Sequence, residues 1–160
     1  MRLISQHQPS TNDSFSSPAD GSSHGRQRNL GFRRASGRGI FKTMTVQNLS
    51  AQRPFITKDG STIRSILDRT NAPVQNQSLA EARVPAGSRT ERHYHKVLEE
   101  LYFILEGVGE IELNGERRMV GPGDAILIPP GAWHTIMATE SLRFLCCCAP
   151  PYTHQDTYLE

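Results

Sequence analysis

Between Glu106 and Gly131 the chain is broken four times by turn-forming clusters: Glu106-Gly107, Asn114-Gly115, Gly121-Pro122-Gly123-Asp124 and Pro129-Pro130-Gly131. No segment between them is long enough for a stable helix. Leu101 to Leu105 is an apolar run, and Val108 to Leu113 alternates Val108, Glu110 and Glu112 against Gly109, Ile111 and Leu113. Asn114-Gly115 is a strong hairpin signal, because both residues tolerate positive φ. Glu116 to Val120 reads as the return strand and Ala125 to Ile128 as a short buried strand. Ala132 to Thr139 and Leu142 to Ala149 complete the series. Strands recurring every ~8–12 residues with turns between them imply an all-β sandwich or barrel.

Upstream the pattern is looser. Thr45 to Thr57 reads as irregular, and Lys58-Asp59-Gly60-Ser61 as a turn. Ser61 to Arg69 fits a strand or a short helical turn, and Gln77 to Val84 a strand. The tail, Pro150 to Glu160, is polar and is expected to lie across the barrel or to extend to a partner.

Charge divides the chain. Residues 1–43 hold seven Lys/Arg and two Asp, whereas residues 44–160 hold eleven Lys/Arg and fourteen Asp/Glu. The first part is rich in Ser, Gly, Arg and Asn and poor in large apolar residues, so it reads as a disordered basic extension. The reading adopted is that translation begins at Met44 or that residues 1–43 are dispensable; an organelle-targeting leader is the alternative. Residues 44–160 read as the folded domain. They carry no basic stripe with interleaved aromatics, which argues against nucleic acid as a partner. No apolar run reaches the ~20 residues of a membrane-spanning helix. Cys146, Cys147 and Cys148 are consecutive, so neighbours on a strand point to opposite faces. They read as small buried hydrophobes in a reducing, cytoplasmic compartment.

The chemistry concentrates in His93, His95, Glu100 and His134. On a strand, residues i and i+2 share a face, so His93 and His95 can reach one ion while Tyr94 points away. Glu100 opens the next strand, sharing a face with Tyr102 and Ile104, and Glu99 faces solvent. His134 follows the Pro-Pro-Gly turn and shares a face with Ile136 and Ala138. Three imidazoles and a carboxylate suit Fe, Mn, Ni, Zn, Cu or Co, with about two positions left open on an octahedral ion.

These residues resemble the two motifs of the cupin superfamily, small double-stranded β-helix (jelly-roll) barrels. The first motif corresponds to Gly87, His93, His95, Glu100 and Gly107. The second corresponds to Gly123, Pro129, Gly131 and His134, with Ala138 replacing its final Asn. The resemblance implies that His93, His95, Glu100 and His134 are metal ligands, and it suggests a homodimer. Cupins that decarboxylate oxalate carry Arg where this chain has Thr90, which lowers the odds of that chemistry. The leading expectation is a metal-dependent oxidoreductase, dioxygenase-like, acting on a small organic substrate. Glu100 and Tyr102 are the candidate catalytic residues. Tyr102, Ile104, Ile136 and Phe144 are candidate pocket residues, with Cys146 and Cys148 as further candidates. A metal-dependent isomerase or lyase and a non-catalytic small-molecule binder are the alternatives.

Overall fold

A computed structural model describes residues 44–160; what the sequence suggests for residues 1–43 lies outside the described residues. Eleven strands follow in order: β1 (Phe55–Ile56), β2 (Thr62–Leu67), β3 (Ser78–Val84), β4 (His93–His95), β5 (Glu99–Glu106), β6 (Gly109–Leu113), β7 (Glu116–Val120), β8 (Ala125–Ile128), β9 (His134–Ala138), β10 (Leu142–Ala149) and β11 (Thr157–Leu159). Only two short 3-10 turns, Leu49–Ala51 and His154–Asp156, depart from the all-β plan among the described residues. The strands form two antiparallel sheets. One has the order β1-β2-β3-β10-β5-β8 and the other β11-β4-β9-β6-β7. None of the described helices is long and apolar enough to cross a membrane.

Alternation sets the two faces of each strand. In β5, Glu100, Tyr102 and Ile104 turn inward, and in β10 Leu142, Phe144, Cys146 and Cys148 do so. The register places Phe144 opposite Ile104, Cys146 opposite Tyr102 and Cys148 opposite Glu100. In the second sheet, Ile136 of β9 lies opposite Ile111 of β6. Tyr102, Ile104, Ile111, Ile136, Leu142, Phe144 and Cys146 form one apolar cluster between the sheets. Burial of each large member, such as Ile104, Ile136 or Phe144, contributes about 1.5–3 kcal/mol.

The turns do what their residues dictate. Asn114 (φ 49°) and Gly115 (φ 88°) join β6 to β7 with Leu113 opposite Glu116, the positive-φ pair that a two-residue hairpin requires. Gly107 (φ 80°) is required twice over, because a Cβ there would run into the carbonyl of Ser141.

Several segments differ from their sequence reading. The stretch 45–57 contains a 3-10 turn and β1, because Phe55 and Ile56 pair with Ile63 and Thr62. The ambiguous segment after Gly60 is strand β2. Ala125 to Ile128 is a strand but is not buried throughout. It is the edge of its sheet, paired on one side with β5, and alternation turns Ala125 and Leu127 to the uncovered outer face, where Leu127 is 52% exposed and only Ile128 is fully buried. Leu127 lies opposite Leu101, and with Phe103 they form an exposed apolar row on the outer face. The tail lies across the barrel as β11, with Thr157 opposite His95 and Tyr158 opposite Tyr94.

Candidate metal centre

The two sheets divide the work of building the site. His93 and His95 stand two apart on β4 and His134 on the adjoining β9, directly opposite His93. All three imidazoles come from the five-stranded sheet. Glu100 comes from the other sheet, on β5. One ligand atom from each of the four residues lies within 4.8 Å of all the others, and all four residues are buried.

Each imidazole is held at its far nitrogen. Nδ1 of His93 lies 2.8 Å from the carbonyl of Glu91, Nδ1 of His95 lies 3.1 Å from that of Asp156, and Nδ1 of His134 lies 3.0 Å from that of Ala132. A carbonyl only accepts, so each Nδ1 carries the proton and donates it. Each Nε2 then presents a lone pair to the interior, the tautomer a metal ligand needs. Oε2 of Glu100 sits 3.3 Å from Nε2 of His95 and 3.6 Å from Nε2 of His134. Oε2 of Glu100 and Nε2 of His134 are buried without a hydrogen-bond partner. Acceptors facing one another out of water repel, and a divalent cation among them relieves that cost. The donor set therefore fits a divalent transition ion.

The titration behaviour follows the same geometry. Burial, with the neighbouring His134 and His95, pushes His93 down to about 4, so its imidazole is neutral. Burial also opposes charge on His95, but the carboxylate of Glu100 and the contacts to Asp156 outweigh it and raise its pKa. Burial would raise Glu100, yet His134 and His95 hold it well below the usual carboxylate range.

The thiol of Cys148 donates to Oε1 of Glu100 across 3.5 Å, leaving Oε2 toward the imidazoles. Burial, followed by the charge of Glu100, pushes the Cys148 thiol far up, so it stays protonated as a donor should. Tyr102 is buried beside the cluster, its ring 6.2 Å from that of His134 and 4.6 Å from that of Phe144. Burial, then Glu100, raises its pKa well above the ordinary phenol value, so it is a neutral hydroxyl.

A cavity opens from the cluster between the sheets. Its wall includes His93, His95, Glu100, Tyr102, Phe144, Cys146 and Cys148. It encloses about 50 Å³ of space for the centres of water molecules, room for roughly four of them. Tyr102 and Phe144 thus line the cavity. Ile104 and Ile136 face inward but lie in the apolar cluster, outside the cavity wall. Glu99 is exposed. Trp133 packs beside Tyr94 at 4.7 Å, under the guanidinium of Arg92. Thr90 is buried, and its hydroxyl accepts the backbone N–H of Ile136.

Three residues passed over in the sequence belong to this region: Asp59 and Tyr152 in the cavity wall, and Asp156 behind His95. Asp59 reads locally as a turn residue, and only the pairing of distant strands brings it to the cavity. The tail residues carry no local motif.

A family model for the cupin domain matches residues 80–148. The chain is 49% identical over 107 residues to an uncharacterized protein of Methanocaldococcus jannaschii, across 66% of this chain and 86% of that one. It is 32% identical over 85 residues to the L-ectoine synthase of Wolinella succinogenes, across 52% of this chain and 64% of that protein. Among solved structures, the polyketide cyclase RemF from Streptomyces resistomycificus superposes with a TM-score of 0.59 at 26% identity, covering 71% of this chain and 89% of that one. With the motif residues gathered between two antiparallel sheets and these relatives alongside, the chain belongs to the cupin family.

Proposed function

We propose that the chain is a metal-dependent enzyme of the lyase or isomerase type, which eliminates from, rearranges or cyclises a small organic molecule without net oxidation. The observation that carries this reading is the convergence of His93, His95, His134 and Glu100, three of which (His93, His95 and Glu100) line a cavity whose wall also includes Tyr102. A divalent ion held by His93, His95, Glu100 and His134 would supply a Lewis acid that polarises a substrate oxygen. The protein's own groups supply the rest. Tyr102, protonated at neutral pH, is placed to donate a proton to a leaving or carbonyl oxygen. Phe144, Cys146 and Cys148 keep that wall of the cavity apolar, which strengthens electrostatic interactions inside it. Glu100 acts as a ligand here, because its Oε2 faces the Nε2 atoms of His95 and His134.

The activities of two relatives, a synthase and a cyclase, support a non-oxidative reaction over the dioxygenase chemistry that the ligand set alone suggests. A homodimer belongs to the same proposal. The exposed row of Leu101, Phe103 and Leu127 is apolar surface that a second copy would cover. Sedimentation equilibrium tests it.

The reaction class is tested by incubating metal-loaded protein with a polar-metabolite extract under nitrogen and under air, following substrate loss by mass spectrometry and oxygen by electrode. Equal substrate loss in both atmospheres, without oxygen uptake, is expected. Turnover that needs oxygen would replace this reading with the dioxygenase one. Tight binding without turnover would make the chain a small-molecule binder.

A further inference from the structure

The wall of the same cavity holds a second carboxylate. Asp59 sits in the turn between β1 and β2, closed by the hydrogen bond from Gly60 N to the carbonyl of Thr57. It is only 8% exposed. Its Oδ1 accepts from the hydroxyl of Thr57, from the hydroxyl of Ser61 at 2.8 Å and from the backbone N–H of Ser61 at 3.2 Å. Three donors on one oxygen fix the carboxylate plane. Among the described residues nothing donates to Oδ2, although Asp59 lines the cavity. The backbone couples the two groups. Glu91 donates its N–H to the carbonyl of Asp59 at 2.7 Å, and its own carbonyl holds Nδ1 of His93.

The surrounding charges sharpen the point. The cavity wall contains Asp59, Asp68 and Glu100 but no Lys or Arg. Lys58, next to Asp59, is spent elsewhere, its Nζ donating to the carbonyls of His154 at 2.6 Å and Thr157 at 3.1 Å. Asp68 is half-buried, and its Oδ1 caps the Thr70–Asn71 turn. A nearly buried carboxylate with one oxygen held by three donors and the other without a protein donor, in a cavity wall that holds no Lys or Arg, is a point where a cationic group of a ligand can bind.

We infer that Asp59 is a substrate-recognition residue that takes the ammonium group of an amine-bearing substrate whose oxygen end lies at the His/Glu cluster. The inference rests on the metal-centre reading above and adds the substrate class. The ammonium donates to Oδ2, a charge-assisted hydrogen bond inside a partly desolvated cavity. An anionic or purely apolar group of the same size leaves that oxygen without a partner and is selected against.

The experiment uses nickel-loaded full-length chain and calorimetric titration with β-alanine, 4-aminobutyrate and 5-aminopentanoate. Length-matched alkanoates and ω-hydroxy acids serve as neutral-ended controls. At the best length, the amino acid is expected to bind at least ~10-fold more tightly than either control. Asp59→Asn is expected to abolish that preference while leaving nickel content and alkanoate binding unchanged. No preference in the wild type, or a preference that survives in Asp59→Asn, overturns the inference. Should Asp59→Asn fail to fold, Asp68→Asn decides the assignment. It should keep the preference, and losing it would move recognition to Asp68 and overturn the role of Asp59. Failure to bind nickel or any carboxylate would instead count against the proposed function, so the two outcomes are separate.

Discussion

Nδ1 of His95 lies 3.1 Å from the backbone carbonyl of Asp156, and the carboxylate of the same Asp156 accepts the backbone N–H groups of Lys96, Val97 and Leu98 at 2.9–3.2 Å. One residue of the tail thus orients an imidazole of the cluster and ties down the turn that connects it to Glu100. β11 holds Asp156 in place by pairing with β4. Asp156→Ala is expected to leave the carbonyl contact possible but to release the turn. Metal affinity should then fall by about 10-fold or more, as for the loss of an orienting partner behind a ligand. Asp156→Asn, which keeps one acceptor oxygen, should fall between the two. Competition with a chromophoric chelator measures both.

If the His/Glu cluster holds an ion in solution, the folded state should depend on it. At free metal of 100 times the Kd, the added stability is about 2.7 kcal/mol. Chelation is therefore expected to lower the unfolding temperature of the wild type. In Glu100→Gln and His134→Ala, elemental analysis should show substoichiometric metal, and the chelator should have little further effect. A wild type indifferent to chelator, with no bound metal, would count against the centre.

The shared faces of His93, His95 and Glu100 were legible in the sequence because their spacing is local, whereas His134, on a distant strand, was marked by the motif resemblance. Two steps along one strand put His93 and His95 on the same face, and odd–even parity separated Glu100 from Glu99. Parity also placed Ile104 and Ile136 on the inward face, but it does not measure depth. Two residues along a strand is about 7 Å, enough to carry them past the cavity into the apolar cluster. The burial of Ala125 to Ile128 was misjudged for a related reason. Composition shows an apolar strand, whereas only the sheet order shows that β8 is an edge. Asp59 and Asp156 were invisible because their partners come from other strands. Asp156 is 61 residues from His95, and no local pattern encodes a pairing of that range.

Two glycines separate backbone strain from close approach. Gly107 and Gly87 both have positive φ, at 80° and 77°. A Cβ on Gly87 meets open space, while one on Gly107 meets the backbone of Ser141 and Leu142. Gly87→Ala should therefore cost only the conformational penalty, about 1–2 kcal/mol. Gly107→Ala adds a collision with main chain that cannot rotate away, and should cost about 2–4 kcal/mol. Chemical denaturation of the two variants in parallel reads the difference; equal losses would mean that the Gly107–Ser141 approach is not close in solution.

On the outer face of the larger sheet, Glu81 is 1% exposed and bridges strands. Its Oε1 accepts from Nε of Arg83 at 2.9 Å, and its Oε2 from a guanidinium N–H of Arg143 at 3.0 Å. Arg143 in turn reaches Glu106 at 2.7 Å, so the charges run across β3, β10 and β5. Burial works to raise the pKa of Glu81, but the hydrogen bonds and charges of Arg83 and Arg143 prevail and lower it. A carboxyl whose folded pKa is depressed gives up its stabilisation as pH falls. The contribution is complete above the unfolded value near ~4.3 and disappears as pH drops through the folded value. Glu81→Gln removes the charge but not the shape. It should cost about 1.5–3 kcal/mol at pH 7, the range for hydrogen bonds to a charged group. Wild type and variant should converge in unfolding free energy as pH is lowered below ~4. A gap that stays constant from pH 7 to pH 3 would show that the amide loses shape or packing rather than charge.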